Sequence, residues 1–267
     1  MQLPSRREAL LAAATCIVLH RCGTGLLADV QTNAKLIDSA NQGRRFLESL
    51  FDPTLHLLPE YQGAKVYWLF HDNYLAAKVL ATSNAGLAEK IKAAIKGFGI
   101  DHSGKIEIVF GEAQHPLPFR QYKLNEVQRI GEKIIRTEVV QDTVLKGWQE
   151  YADLLFLAAM AEEDPKQARQ HLDGGLKMWD GTGFKDSVVT KHHTYATYKL
   201  ALSLLAAAML KVNVDVQSAI IERLLSLQAK EGGWITDYDE NGKPVGVANV
   251  ETTCLAILGL EAVAKTC

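Results

Sequence analysis

The chain has 267 residues, 48% of them hydrophobic, with 29 Lys and Arg set against 31 Asp and Glu. That length and apolar content can bury a sizeable core, and the near-neutral charge excludes the basic footprint of a nucleic-acid binder or a polybasic membrane surface. No Pro/Ser-rich or charged linker interrupts residues 29–267, so they are predicted to form a single domain.

In chain order, residues 1–28 come first and read as an export signal. Arg6 and Arg7 precede the apolar run Ala9 to Leu19, and small residues follow from Gly23 to Ala28. The run is too short to cross a bilayer, which takes about twenty residues. Ser5-Arg6-Arg7-Glu8-Ala9-Leu10-Leu11 is similar to a twin-arginine signal, so the expected location is secreted or periplasmic. Loss of such a signal removes Cys16 and Cys22 and leaves Cys254 and Cys267. On one helix those two stand thirteen residues apart, at about 1.5 Å each, beyond disulfide reach.

Helical periodicity then recurs along the chain. Lys35 to Phe51 is amphipathic, with Leu36, Phe46, Leu47 and Leu50 on its apolar side and Lys35, Arg44, Arg45 and Glu48 on the exposed side. Asp72 to Ala81 is more apolar all round, which predicts the inner member of a pair. Ala85 to Phe98, Pro165 to Met178 and Val216 to Ala229 repeat the outer pattern; Gly147 to Ala161, His193 to Leu210 and Val250 to Ala264 repeat the inner one. Asp164 with Pro165, and Asp215, stand where outer helices should begin; Asp72 or Asn73, Thr194 and Asn249 stand at the inner starts. Residues 99–143 interrupt this order with period-two stretches at Lys105 to Phe110, Phe119 to Leu124 and Ile134 to Val140, which predict short antiparallel strands. Such an insertion is either a lid over a binding face or a passive cap. The predicted class is therefore mainly α, about four helical hairpins with a small antiparallel β insertion.

A repeated phrase carries the functional expectation. An aromatic or Gly-rich loop precedes each of three inner helices: Trp68 to Asn73, Trp179 to Phe184 before His192-His193-Thr194-Tyr195, and Gly232-Gly233-Trp234 leading to Asn249 and Glu251. Aligning Trp68 with Trp148 adds a fourth instance and sets Asn73 beside Asp153. Stacked hairpins gather such loops at one end, where free helix amides and positive dipole ends favour anionic or hydroxyl-rich ligands. The candidate catalytic residues are the paired carboxylates Asp72 and Glu251, because a general acid and a base or nucleophile can be made from two such groups in different surroundings. The candidate binding residues are Trp68, Asn73, Trp179, His192, His193, Tyr195, Trp234, Asn249 and Thr252. Each has a plain structural alternative: the carboxylates and amide as caps, the tryptophans as seals on the core.

Other motifs carry less. His192 and His193 are adjacent and diverge by about 100° on a helix, which makes them poor joint metal ligands. Asp237 to Gly242 begins like a calcium loop, but position twelve is Ala248 in place of the bidentate Glu, and a tight turn at Asn241-Gly242 accounts for the same residues. No metal or cofactor is expected.

The inner and outer alternation resembles the α/α-toroid proteins, among them terpenoid cyclases, protein prenyltransferases, many-hairpin glycosidases and polysaccharide lyases. Gln228-Ala229-Lys230-Glu231-Gly232-Gly233-Trp234 is similar to the Gln-x-x-x-Gly-x-Trp repeat of the cyclases, which ties an outer helix to the following loop. The resemblance implies an incomplete toroid, open or closed by a homodimer, because only about four hairpins are counted against the usual six or so. It also implies a pocket for a carbohydrate or polyol, with glycoside hydrolase or lyase activity. The alternatives are a terpenoid cyclase or prenyltransferase-like enzyme, whose Asp-rich and zinc motifs have no counterpart here, and a non-catalytic interaction scaffold.

Overall fold

The computed structural model describes residues 33–100, 102–103, 105–113 and 116–265; the expected export signal with Cys16 and Cys22, and Cys267, lie outside them. Helix α1 covers 33–49. It is followed by α2 (Leu75–Leu80), α3 (Ala85–Gly97), α4 (Ala152–Ala161), α5 (Pro165–Leu176), α6 (Ser187–His192), α7 (Thr197–Met209), α8 (Gln217–Ser226) and α9 (Val250–Ala264). The strands are β1 (Val66–Trp68), β2 (Arg120–Ile130), β3 (Lys133–Val144), β4 (Tyr195–Ala196), β5 (Trp234–Tyr238) and β6 (Pro244–Asn249).

Helices that are apolar on every side lie inside. α4, α7 and α9 bury residues around most of their circumference, and with α2 they pack in the order α2, α9, α7, α4. α3, α5 and α8 have one apolar stripe each, such as Ala88, Ile91 and Ile95 on α3, and lie against α2, α4 and α7. The close approach of α7 and α9 depends on Gly259, where a Cβ would sit 2.8 Å from the Ala201 carbonyl oxygen.

Local chemistry sets several helix starts. Asp164 accepts from the amides of Lys166 and Gln167, with Pro165 in the first turn of α5, and Asn249 accepts from the Thr252 amide at the start of α9. Two expected starts are displaced. α8 begins after Val216 with no side-chain cap from Asp215, and α7 begins after Ala196 and not at Thr194. The residues before α7 instead form the short helix α6, capped by Asp186.

The expectation of a mainly α, incomplete α/α toroid is overturned. Helix makes up 51% and strand 20% of the structure, and two three-stranded sheets make the fold mixed α/β. In the first sheet, ordered β1-β3-β2, β1 runs parallel to β3 with Trp68 opposite Arg136, while β2 and β3 form an antiparallel hairpin. In the second, ordered β4-β5-β6, Tyr195 faces Tyr238 and Trp234 faces Asn249. Extended backbone thus occupies the loops before α7 and α9, where aromatic and Gly-rich loops with a tight turn at Asn241-Gly242 were expected. Lys105 to Phe110 is corrected in the opposite sense: Ile106–Phe110 is a 3-10 helix with Glu107 buried among its apolar neighbours. Glu107 accepts from the Ser103 amide and hydroxyl, so the apparent polar alternation does not mark a solvent face. Arg44, expected on the exposed side of α1, is also buried, donating to the Val79 carbonyl and lying 2.5 Å from Glu261.

Candidate functional site

The site begins with a clip. The Asn73 side chain accepts from the Leu58 amide and donates to the Leu58 and Trp68 carbonyls, so it folds the segment before β1 back onto the turn that follows it. This brings Glu60 to the start of α9, where its carbonyl accepts from the Val250 amide. Leu69–Tyr74 forms a π-helical turn that runs into α2, a wide geometry that recurs at functional sites. On the third side, Trp68 opposite Arg136 fixes the register of β3, and Glu138, two residues on, shares the face of Arg136. The Arg136 guanidinium lies 5.9 Å from the Trp68 ring centre.

These elements enclose a cavity of about 170 Å³ lined by Glu60, Trp68, His71, Asp72, Glu138, Asn249 and Glu251. Four carboxyl groups therefore share one small space. Asp72 is 2% exposed, and its Oδ2 is buried without a hydrogen-bond partner. Burial, then the charges of Glu251 and Glu60, push the Asp72 carboxyl well above the usual carboxylate range; the Glu251 backbone N–H directed at it opposes the shift. Burial also pushes Glu251 up to about 7, with Lys105 working against the rise and Glu138, Asp153 and Glu60 adding to it. His71 is pushed down to about 3 by burial and then by Lys105, so its imidazole is neutral at ordinary pH. Its Nε2 is 3.5 Å from Glu138 Oε2, and the Lys105 ammonium is 3.7 Å from the same oxygen. Glu138 thus carries the ion pair of the pocket, and His71 contributes a neutral polar contact.

A second polar cluster adjoins the first. The Tyr198 hydroxyl donates to Asp153 Oδ2 at 3.3 Å, Lys199 Nζ is 3.5 Å from Asp153 Oδ1, and Lys199 donates to Asp186. Asp186 also accepts from the Ala152 amide, so it holds the starts of α4 and α6 together. The charges of Asp153, Glu251 and Asp186, after burial itself, drive the Tyr198 hydroxyl well above its ordinary range.

Of the sequence candidates, Trp68, Asp72, Asn249 and Glu251 line the cavity. Asn73 is the clip beneath it, and Thr252 is buried one residue beyond Glu251 with its amide capped by Asn249. The others lie outside the lining. Trp179 packs edge-on against Phe184, and Trp234 is wholly buried with Nε1 donating to the Leu224 carbonyl. Tyr195 stacks on Tyr238 and donates to Asp180, while His192 and His193 are exposed where α6 ends, His193 with φ of 57°. Gln228 donates to the Ser39 and Gly232 carbonyls, tying the end of α8 to α1 and to the loop before β5. The turn after Asp237 is the β5–β6 hairpin, with Asp239 accepting from the Asn241 and Lys243 amides.

Sequence reasoning passed over Glu60, His71, Lys105, Glu138, Tyr198 and Lys199. His71 stood inside the repeated phrase, and Glu138 in a stretch read as a strand whose facing direction only the register settles. Among the described residues no group of three or more His, Cys, Asp or Glu is placed to hold a metal ion. No helix among them is long and apolar enough to cross a membrane. No family model, curated protein or solved structure matches the chain.

Proposed function

We propose that the pocket binds a carbohydrate or related polyol and acts on it by carboxyl acid–base chemistry, as a glycoside hydrolase or lyase does. The observation that carries this reading is the gathering of Asp72, Glu251, Glu138 and Glu60 with Trp68 around one cavity of about 170 Å³. A volume below the ~300–1,000 Å³ of pockets for drug-sized ligands suits a single ring rather than a chain. Such a lining also disfavours a prenyl substrate, whose hydrocarbon would meet carboxyl groups and an ion pair.

Glu251 is the proton donor in this reading, because a carboxyl titrating at about 7 still holds its proton at a pH where an ordinary carboxyl has lost it. In hydrolysis it protonates the departing glycosidic oxygen as the C–O bond breaks. Glu138, paired with Lys105, takes the proton of the attacking water. Asp72, buried with Oδ2 unpartnered, meets a polar group of the substrate. The Arg6-Arg7 pair and the run Ala9 to Leu19 support action outside the cytoplasm.

The test is a panel of chromogenic glycosides and uronides assayed between pH 4 and 9, with ligand-induced thermal shift run in parallel. Turnover that Glu251→Gln lowers by about 10²-fold or more, with binding retained, supports the assignment. A panel with neither turnover nor stabilisation refutes it.

A further inference from the structure

The acceptors of this pocket outnumber its donors. Among the lining side chains, Glu60, Asp72, Glu138 and Glu251 present carboxyl oxygens, and no Lys or Arg stands with them. His71 Nε2 lies 3.5 Å from Glu138 Oε2 without a hydrogen bond between them. The cation nearest to these groups, Lys105, is already engaged by Glu138 at 3.7 Å and lies 4.8 Å from the centre of the Tyr122 ring. Arg136 is over Trp68, outside the lining. Asn249 has its side-chain oxygen committed to the Thr252 amide. Two lining carboxyl oxygens remain, Asp72 Oδ2, in a side chain 2% exposed, and Glu138 Oε2, both buried without a hydrogen-bond partner.

Buried acceptors of this kind are satisfied in nearly all proteins, so an orphan at a cavity wall marks the place of a missing donor. A hydroxyl brings one donor together with acceptor lone pairs of its own, which would add to the excess. A primary ammonium brings three donors, no acceptor and a positive charge. It matches the hydrogen-bonding of Asp72 and Glu60, which Lys105 leaves unpaired, and its charge draws off the proton that burial and the neighbouring carboxyls keep on Asp72 in the empty pocket.

We propose that the ligand is an amino sugar with an unsubstituted ammonium group, held by Asp72 and Glu60. This rests on the carbohydrate reading above and narrows it to one substrate class. Ammonium binding turns mutual repulsion among the carboxyls into attraction, so the same crowding that is costly in the empty pocket becomes selective in the filled one. An N-acetylated sugar is neutral at that position and carries an extra carbonyl acceptor, so it is rejected.

Isothermal titration of the full chain at pH 6.5 with glucosamine, glucose and N-acetylglucosamine decides the matter. Glucosamine binding roughly tenfold or more tightly than both others, the worth of one charge-assisted hydrogen bond, supports the assignment. Glu60→Gln and Asp72→Asn should each narrow that ratio. Equal binding of the three sugars, or preference for the acetylated one, overturns the ammonium assignment and leaves the carbohydrate reading standing. Binding of none of them overturns both.

Discussion

Replacing Glu251 by Gln keeps the shape of the neutral carboxyl and removes its proton equilibrium. In the unfolded chain this group ionises at its ordinary 4.5, and in the folded pocket at about 7, chiefly through burial. Below pH 4.5 both states hold the proton and the fold loses nothing. Between 4.5 and 7 the unfolded chain releases it while the folded chain keeps it, so stability falls as the pH rises; above about 7 the full loss, about 3 kcal/mol, is in place. Glu251→Gln abolishes that slope. It should match the wild type at pH 4 and exceed it by about 3 kcal/mol at pH 8. Asp72, whose carboxyl is raised partly by Glu251, moves down when its neighbour becomes neutral and adds to the gain. Urea unfolding at pH 4, 6 and 8, read by circular dichroism with the slopes compared, supplies the three differences. Stability curves of the two proteins that stay parallel across this range would refute the burial argument, and with it the assignment of Glu251 as proton donor.

Three further substitutions test the frame around the pocket. Lys199→Met leaves Asp186 and Asp153 without their shared cation and should cost about 3–5 kcal/mol in urea unfolding, partly recovered when Asp186→Asn is added; an unaltered midpoint would show that the buried pair is inert. Gly259→Ala drives a methyl toward the Ala201 carbonyl across the α7–α9 contact and should cost about 1–3 kcal/mol, seen as a lowered melting temperature. Asn73→Ala strips the partners from the Leu58 amide and carbonyl, costs about 1–3 kcal/mol, and should speed hydrogen exchange at the Leu58 amide while weakening ligand binding. Exchange at that amide unchanged from wild type would show that the clip does not hold the Glu60 segment.

Helix positions were legible in the sequence because their signal is local. The stripe of Ala88, Ile91 and Ile95, the Asp164-Pro165 start of α5 and the all-round apolar run of α9 each announce themselves within a few turns. Asp72 and Glu251 were legible for the same reason, each standing at an inner helix start. The sheets were legible only in part: the expected strands at Phe119 to Leu124 and Ile134 to Val140 overlap β2 and β3, which pair antiparallel. Beyond Leu124 β2 is almost wholly exposed, so its alternation fades, and β1 and β4 are too short to show any period. Glu138 and Lys105 reach the pocket through pairings distant in sequence, as does Glu60 through the Asn73 clip. Arg44 misled because a buried arginine paired with Glu261 looks, within its own helix, like any solvent-facing charge.

The parallel pairing of β3 with β1 turns strand parity into a condition on the make-up of the cavity. Val66 opposite Ile134 and Trp68 opposite Arg136 anchor the strand, and beyond that anchor the facing alternates, with Thr137 buried on the side away from Glu138. One residue inserted between Arg136 and Glu138 would present Thr137 or its replacement where the carboxylate belongs, and would send Glu138 and its ion pair with Lys105 to the wrong side. Two inserted residues would restore the facing but displace the carboxylate by a full repeat, nearly 7 Å along the strand. The few residues between the β1 pairing and Glu138 therefore admit neither insertion nor deletion without taking this carboxylate out of the cavity.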